Sequence, residues 1–257
     1  MPGTKHVADK ILNRNMDGLT SMVMCFEDAI KEEDIQQAEE NVLKHLDLIQ
    51  KTIDQGELSI DDVPLIFLRV RNPEQFRQFS EKLTEPMAQV LSGFVFPKFY
   101  SDNANEYHER LNELNDKFQT VLYGMPILEG RAIAYLESRN DELYTLHQTL
   151  EPYKQLILNI RVGGTDFSSI FGVRRDINTS IYDILTVRDC LSDILNYFNR
   201  DTADYTVSAP VWEYFLAYKQ DDIEDLMDRA IHHSLLSRNA IINEAVDGLL
   251  REVLLDK

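Results

Sequence analysis

The sequence predicts an α/β protein built on a parallel sheet, and three observations carry that prediction. Short apolar runs rich in Val, Ile, Leu and Phe alternate with longer amphipathic stretches rich in Glu, Lys, Gln and Asp. The apolar runs are nearly continuous, as strands buried on both faces are. No antiparallel hairpin signal joins neighbouring runs. At 257 residues the chain suits one domain over 1–257, since single α/β barrels commonly run to about 250. Alternation alone is compatible with a doubly wound open sheet or with a barrel.

The strand candidates are residues 19–26, 64–70, 93–97, 120–128, 155–162 and 205–210. Between them lie helix candidates at 5–15, 34–55, 73–84, 103–117, 130–149 and 181–199, and two more, at 221–234 and 238–255, follow the last strand. Some helix starts are marked locally. Asn72 stands in the N-cap position before Pro73, with Glu74 in the first turn. No internal repeat or low-complexity linker divides the chain.

Composition narrows the function. A hydrophobic share of 44% is enough for a real core. The net charge of -18 repels phosphate backbones and anionic membranes, and no basic stripe offsets it, so neither nucleic acid nor membrane is an expected partner. No segment has the roughly 18 apolar residues of a membrane span, and no signal peptide opens the chain, so a cytoplasmic location is expected. Cys25 and Cys190 sit in an apolar run and a helical pattern without a CxxC spacing, as buried structural thiols do. GxGxxG, GxxxxGK[ST] and GxSxG are absent. Adjacent His232 and His233 point in different directions on a helix, which argues against a metal site there.

In parallel α/β folds reactive groups gather at the carboxyl ends of strands. Five such ends carry polar residues. The run 21–26 leads into Glu27 and Asp28, a carboxylate pair that is either functional or an ordinary loop feature. The run 64–68 leads into Arg69-Val70-Arg71-Asn72-Pro73, where alternation puts both arginines on one face. That pair suits an anionic ligand, or a salt bridge to Glu27 or Asp28, and the two readings are compatible. Lys98 closes the third run. Glu129 closes the fourth, followed by Gly130, which leaves room for a ligand. The fifth leads into Gly163-Gly164-Thr165-Asp166, a second carboxylate behind a flexible turn. Two carboxylates from separate strand ends, completed by water and substrate oxygens, are how proteins commonly hold magnesium.

In this order the five strand ends resemble the HpcH/HpaI aldolase and citrate lyase beta-subunit family. Cys25 to Ile30 is similar to its acidic second-strand motif and Arg69 to Pro73 to its arginine strand. Phe96-Pro97-Lys98 is similar to its Pro-Lys strand, and Pro126 to Glu129 to the strand bearing its metal glutamate. Gly163 to Asp166, continued by Phe171 to Arg175, is similar to the segment bearing its metal aspartate. The branch of bacterial tellurium-resistance and stress gene clusters is the nearest in pattern, judged by Arg161 to Asp166, Ile181 to Asp183 and Ala209 to Phe215.

The resemblance implies a (β/α)8 TIM barrel. It further implies Mg2+, or another divalent cation, on Glu129 and Asp166, stabilising an enolate while a carbon–carbon bond of a 2-oxo or 3-hydroxy acid or a coenzyme A ester is broken or made. Arg71, or Arg69 if the register differs by one residue, would clamp the anionic substrate. Glu27 and Asp28 would act in catalysis, and Lys98, Gly163, Gly164 and Thr165 would bind substrate. Two departures stand out. Cys25 replaces the Asp that usually begins the acidic motif. Met1-Pro2-Gly3-Thr4 matches only the end of the family's first strand, and no final strand follows Leu254. The expectation is therefore an incomplete barrel lacking its first and last strands, whose open edges invite self-association into a homo-oligomer. A non-catalytic barrel acting as a binding or scaffold protein is the alternative.

Overall fold

The computed structural model describes residues 1–6, 8–12, 18–28, 30–173, 180–203, 205–208 and 210. The helices expected at 221–234 and 238–255, with His232 and His233, lie outside them, as do Arg174 and Arg175 and most of the 209–215 motif. The chain divides into two compact units. The first comprises Met1–Lys98, Asp102–Pro126 and Tyr153–Leu158, and the second comprises Phe99–Ser101, Ile127–Pro152 and Asn159–Lys257.

In the first unit β1 (Ser21–Cys25), β2 (Leu65–Arg69), β3 (Gly93–Phe96) and the first part of β4 (Tyr123–Leu128) pair in parallel, each with the next in sequence. Val23 lies opposite Phe67, and Val95 opposite Met125. These strands form where the sequence predicts them because their apolar side chains are buried on both faces: Met24, Phe67, Leu68, Phe94 and Val95 are each at most 4% exposed. Beside β1, Pro2 forms a parallel bridge with Cys25, reinforced by the Cys25 amide donating to the Met1 carbonyl at 2.8 Å.

Four helices and the short α1 (Ala8–Leu12) accompany these strands: α2 (Ile35–Asp54), α3 (Pro73–Glu81), α4 (Glu85–Gln89) and α5 (Ala104–Phe118). Helix α2 buries Ala38, Val42, Leu46 and Ile49, a stripe at spacings of four and three that makes one apolar face. Helix α3 starts as expected, the Asn72 side chain accepting from the Gln75 amide at 2.8 Å with Pro73 at the first position. The predicted 73–84 helix ends early, and α4 follows with Pro86 in its first turn, where a missing N–H costs nothing. Buried Glu39 ties α2 to its neighbours, accepting from Gln75 at 2.7 Å and Lys82 at 2.6 Å. An aromatic cluster forms the core: Phe76 meets Phe94 at 4.6 Å, and Phe96 stacks on Tyr107 at 4.5 Å.

His108 belongs to this core. Its Nδ1 donates to the Ala104 carbonyl at 2.9 Å, and its ring stacks on Tyr153 at 4.9 Å. Burial pushes its pKa down to about 4, against a smaller upward pull from the Ala104 bond. An unfolded histidine titrates near 6.5, so between about 6.5 and 4 the unfolded chain takes up a proton that the folded chain refuses. Stability from this group is therefore complete above about pH 6.5 and is lost as pH falls toward 4. Urea melts are expected to show a loss of about 2 kcal/mol between pH 7 and pH 5 that His108→Gln largely removes. An unchanged pH dependence in that variant would count against the assignment.

In the second unit the end of β4 pairs in parallel with β5 (Ile160–Val162), and β5 with β6 (Val207–Ser208). Helices α6 (Arg131–Ala134), α7 (Leu136–Leu150), α8 (Gly164–Ile170) and α9 (Leu185–Phe198) accompany them. Three expectations need correction. The predicted 155–162 strand begins only at Ile160, because Glu151–Leu156 winds into 3-10 turns. The predicted 130–149 helix breaks at Tyr135, which is extended. There the Arg139 guanidinium donates to the Ile133 and Ala134 carbonyls, both at 2.6 Å, and satisfies groups that a continuous helix would have bonded. The turn expected at Gly163-Gly164 is instead the start of α8. In the described residues no helix is long and apolar enough to cross a membrane. Cys25 and Cys190 are both buried and unbridged, and burial pushes the Cys190 thiol up to about 11.

Candidate functional site

The carboxyl ends of β1, β2 and β3 bring Glu27, Arg69 and Lys98 together in the first unit. Glu27 is 5% exposed. Lys98 Nζ donates to its Oε1 at 2.6 Å, and the Arg69 guanidinium pairs with its other oxygen. Arg69 also reaches the exposed Asp28 at 3.1 Å. An exposed pair of that kind contributes at most about 1 kcal/mol, so Glu27 dominates the cluster. Lys98 takes a left-handed backbone, φ 47°, unusual for a residue with a side chain. Its carbonyl is held by the Asn103 amide at 3.1 Å.

The two arginines, indistinguishable by alternation, separate here. Arg69 ends β2 within the acidic cluster. Arg71 lies beyond the strand and donates to the Ile30 carbonyl at 3.3 Å, bracing the loop that follows Asp28. The salt-bridge reading of the arginine pair thus holds for Arg69.

In the second unit β4 delivers Glu129, 4% exposed, and β5 leads through Gly163 into α8, whose first turn carries Asp166. These converge on Gly163. A Cβ on Gly163 would stand 2.4 Å from Glu129 Cβ, 2.6 Å from Glu129 Oε2 and 3.3 Å from Asp166 Oδ2, so the two oxygens, both packed against Gly163, lie within about 6 Å of each other. The Gly163 amide donates to the Leu128 carbonyl at 3.0 Å, fixing Gly163 against the end of β4. The arrangement fits a hard divalent cation, which takes a few carboxylate oxygens and completes its shell with water or ligand oxygens. Among the described residues no group of three or more His, Cys, Asp or Glu forms a fuller metal cluster.

The neighbouring glycines and Thr165 are placed differently from what the sequence suggests. Gly164 is buried, and the space beside it is taken by Pro210 and Ile181, at 2.8 and 3.2 Å from where its Cβ would be. Its lack of a side chain serves helix packing. Thr165 is exposed on α8. The room expected for a ligand at Gly130 is occupied by Tyr100, a residue the strand-end reading passed over because it lies two residues beyond Lys98. The one signal for it was its position in the loop just after a strand.

A family model for a C-C bond lyase of the TIM-barrel fold matches residues 1–257. No curated protein matches the chain. Among solved structures, the citrate lyase beta subunit from M. tuberculosis, complexed with oxaloacetate and magnesium, is similar over 97% of this chain and 94% of its own, at 12% identity and a TM-score of 0.54. The protein CitE from Mycobacterium tuberculosis, in complex with magnesium, acetoacetate and coenzyme A, is similar over 98% and 78%, at 12% identity and a TM-score of 0.52. Haloferax volcanii malate synthase, as a lead(II) complex, is similar over 100% and 71%, at 14% identity and a TM-score of 0.61. At such identities these likenesses show a shared fold.

Proposed function

Because the chain belongs to the C-C bond lyase family of the TIM-barrel fold, we propose that it breaks or makes a carbon–carbon bond in a small anionic 2-oxo or 3-hydroxy acid, free or as a coenzyme A ester, using a divalent cation held by Glu129 and Asp166. The observation that carries this reading is the approach of the two carboxylate oxygens to Gly163 from β4 and from α8. Magnesium is the first candidate, on the chemistry of an all-oxygen donor pair and on its presence in two of the similar structures. Bound there, the ion supplies Lewis-acid chemistry that draws negative charge from a ligand oxygen.

The chain's own residues do the rest. Glu129, buried at the strand end, would supply one carboxylate, and Asp166 the second from the first turn of α8. Gly163, without a side chain, lets both carboxylates approach its backbone. Of the two arginines, Arg69 is the better candidate for an anion-binding group. Its guanidinium already holds two carboxylates, whereas that of Arg71 is turned onto the Ile30 carbonyl.

The test is turnover. The chain, given magnesium and a panel of 2-oxo acids and acyl-CoA esters, is expected to produce cleavage or condensation products detectable by mass spectrometry. EDTA and Glu129→Gln should each suppress them. Products that persist undiminished in the presence of chelator would contradict the metal role, and an inert chain across the panel would contradict the activity.

A further inference from the structure

Tyr100 occupies a seat made for it. The Gly130 backbone, φ −98° and ψ 169°, is an extended conformation open to any residue, so what glycine provides there is space. A Cβ on Gly130 would stand 2.0 Å from the Tyr100 hydroxyl and 2.2 Å from its Cε1, so the hydroxyl end of the phenol packs against the residue that follows Glu129. The loop carrying it is held on both sides. Phe99 is fully buried, its amide donating to the Ile127 carbonyl at 3.3 Å. The Ser101 amide and hydroxyl donate to the two oxygens of Glu142 on α7, both at 2.8 Å. Between these anchors Tyr100 itself remains partly exposed. A part-exposed phenol seated on the residue that follows Glu129 has the chemistry of a hydrogen-bond donor: at ordinary pH its O–H donates, and its pairing with an anionic oxygen is stronger than with a neutral one.

We propose that the Tyr100 hydroxyl is a further substrate-positioning group of this site, donating a hydrogen bond to an oxygen of the 2-oxo acid or its carboxylate, and that Gly130 is glycine in order to admit it. The proposal rests on the reading of Glu129 and Asp166 as the cation site. Unlike the two carboxylates, Tyr100 sets affinity for the organic ligand and not for the metal.

Calorimetry with Mg2+ alone, and then with oxalate in the presence of Mg2+, separates the two roles. Tyr100→Phe, which removes one oxygen, is expected to leave Mg2+ affinity unchanged and to weaken oxalate about tenfold or more. Gly130→Ala, which displaces the ring, is expected to show the same split. In the native chain, oxalate should produce a near-ultraviolet tyrosine difference signal that is lost in Tyr100→Phe. Native oxalate affinity in Tyr100→Phe would overturn the proposal while leaving the cation site intact. Equal losses of Mg2+ and oxalate binding would make Tyr100 a support of the metal site and overturn it as well. A native chain that binds neither Mg2+ nor oxalate would overturn both this proposal and the reading beneath it.

Discussion

Gly163→Ala is expected to lower divalent-cation affinity about 100-fold or more while leaving the chain folded. The added methyl would stand 2.4 Å from Glu129 Cβ and 2.6 Å from its Oε2, closer than non-bonded atoms approach, and 3.3 Å from Asp166 Oδ2. Something must move: rotation of the Glu129 carboxylate relieves the Oε2 contact, but its Cβ moves only with the end of β4, so the carboxylate and the strand end are both displaced. The native φ of Gly163 is −87°, so alanine suffers no left-handed strain and the effect is one of space. Overpacking of this size costs about 1–3 kcal/mol of stability. Loss of one charged ligand, by contrast, costs the metal about 3 kcal/mol, the 100-fold just stated. Gly164→Ala is the control. Its methyl would meet Pro210 and Ile181 instead, so it should cost stability and spare the cation. Calorimetric titration with Mg2+, alongside circular dichroism, reads both, and a Gly163→Ala chain that binds Mg2+ normally would refute the convergence.

Gly93→Ala is expected to unfold the first unit or come close to it. Gly93 opens β3 at φ 154°, a conformation essentially confined to glycine. Its missing Cβ would stand 2.0 Å from the Tyr123 carbonyl oxygen and 2.7 Å from the Tyr123 nitrogen. These are backbone atoms of the adjacent strand, paired in register with Gly93, and the Tyr123 amide is already bonded to Ser92 at 3.0 Å. No rotamer change relieves such a clash; the ladder between β3 and β4 must separate. We expect a loss of about 4 kcal/mol or more, at the extreme end for single substitutions. In a thermal melt that is a fall of roughly 8 °C or more. A midpoint within about 2 °C of the native value would show that the strand accommodates the methyl.

The elements that the sequence reveals are those whose causes are local. The six strands are legible because burial on both faces demands unbroken apolar runs, and the start of α3 is legible because Asn72 and Pro73 supply its cap in adjacent positions. The α/β class follows from those runs, while the TIM barrel is implied only by the family resemblance of the residues that end them, which the family match bears out. What sequence reading misses depends on partners distant in the chain. The break at Tyr135 needs the Arg139 side chain reaching back to two carbonyls. Gly163-Gly164 has the composition of a turn, and only the packing of Pro210 and Ile181 against Gly164 shows why a glycine starts a helix there. Lys98 is visible as a strand-end cation, but its hold on Glu27 spans 71 residues. Arg69 and Arg71 differ in their contacts, the first to Glu27 and Asp28 and the second to the Ile30 carbonyl, and no spacing encodes these.

The measurement that bears most directly on the central claim is a Mn2+ titration followed by electron paramagnetic resonance, on the native chain and on Glu129→Gln and Asp166→Asn. With a net charge of -18 the surface will gather cations loosely, so the informative quantity is the tight component. We expect one tight site per native chain, displaced by Mg2+, and about 100-fold weaker in each variant. A tight site that survives both substitutions, or a native chain with only the loose component, would contradict it.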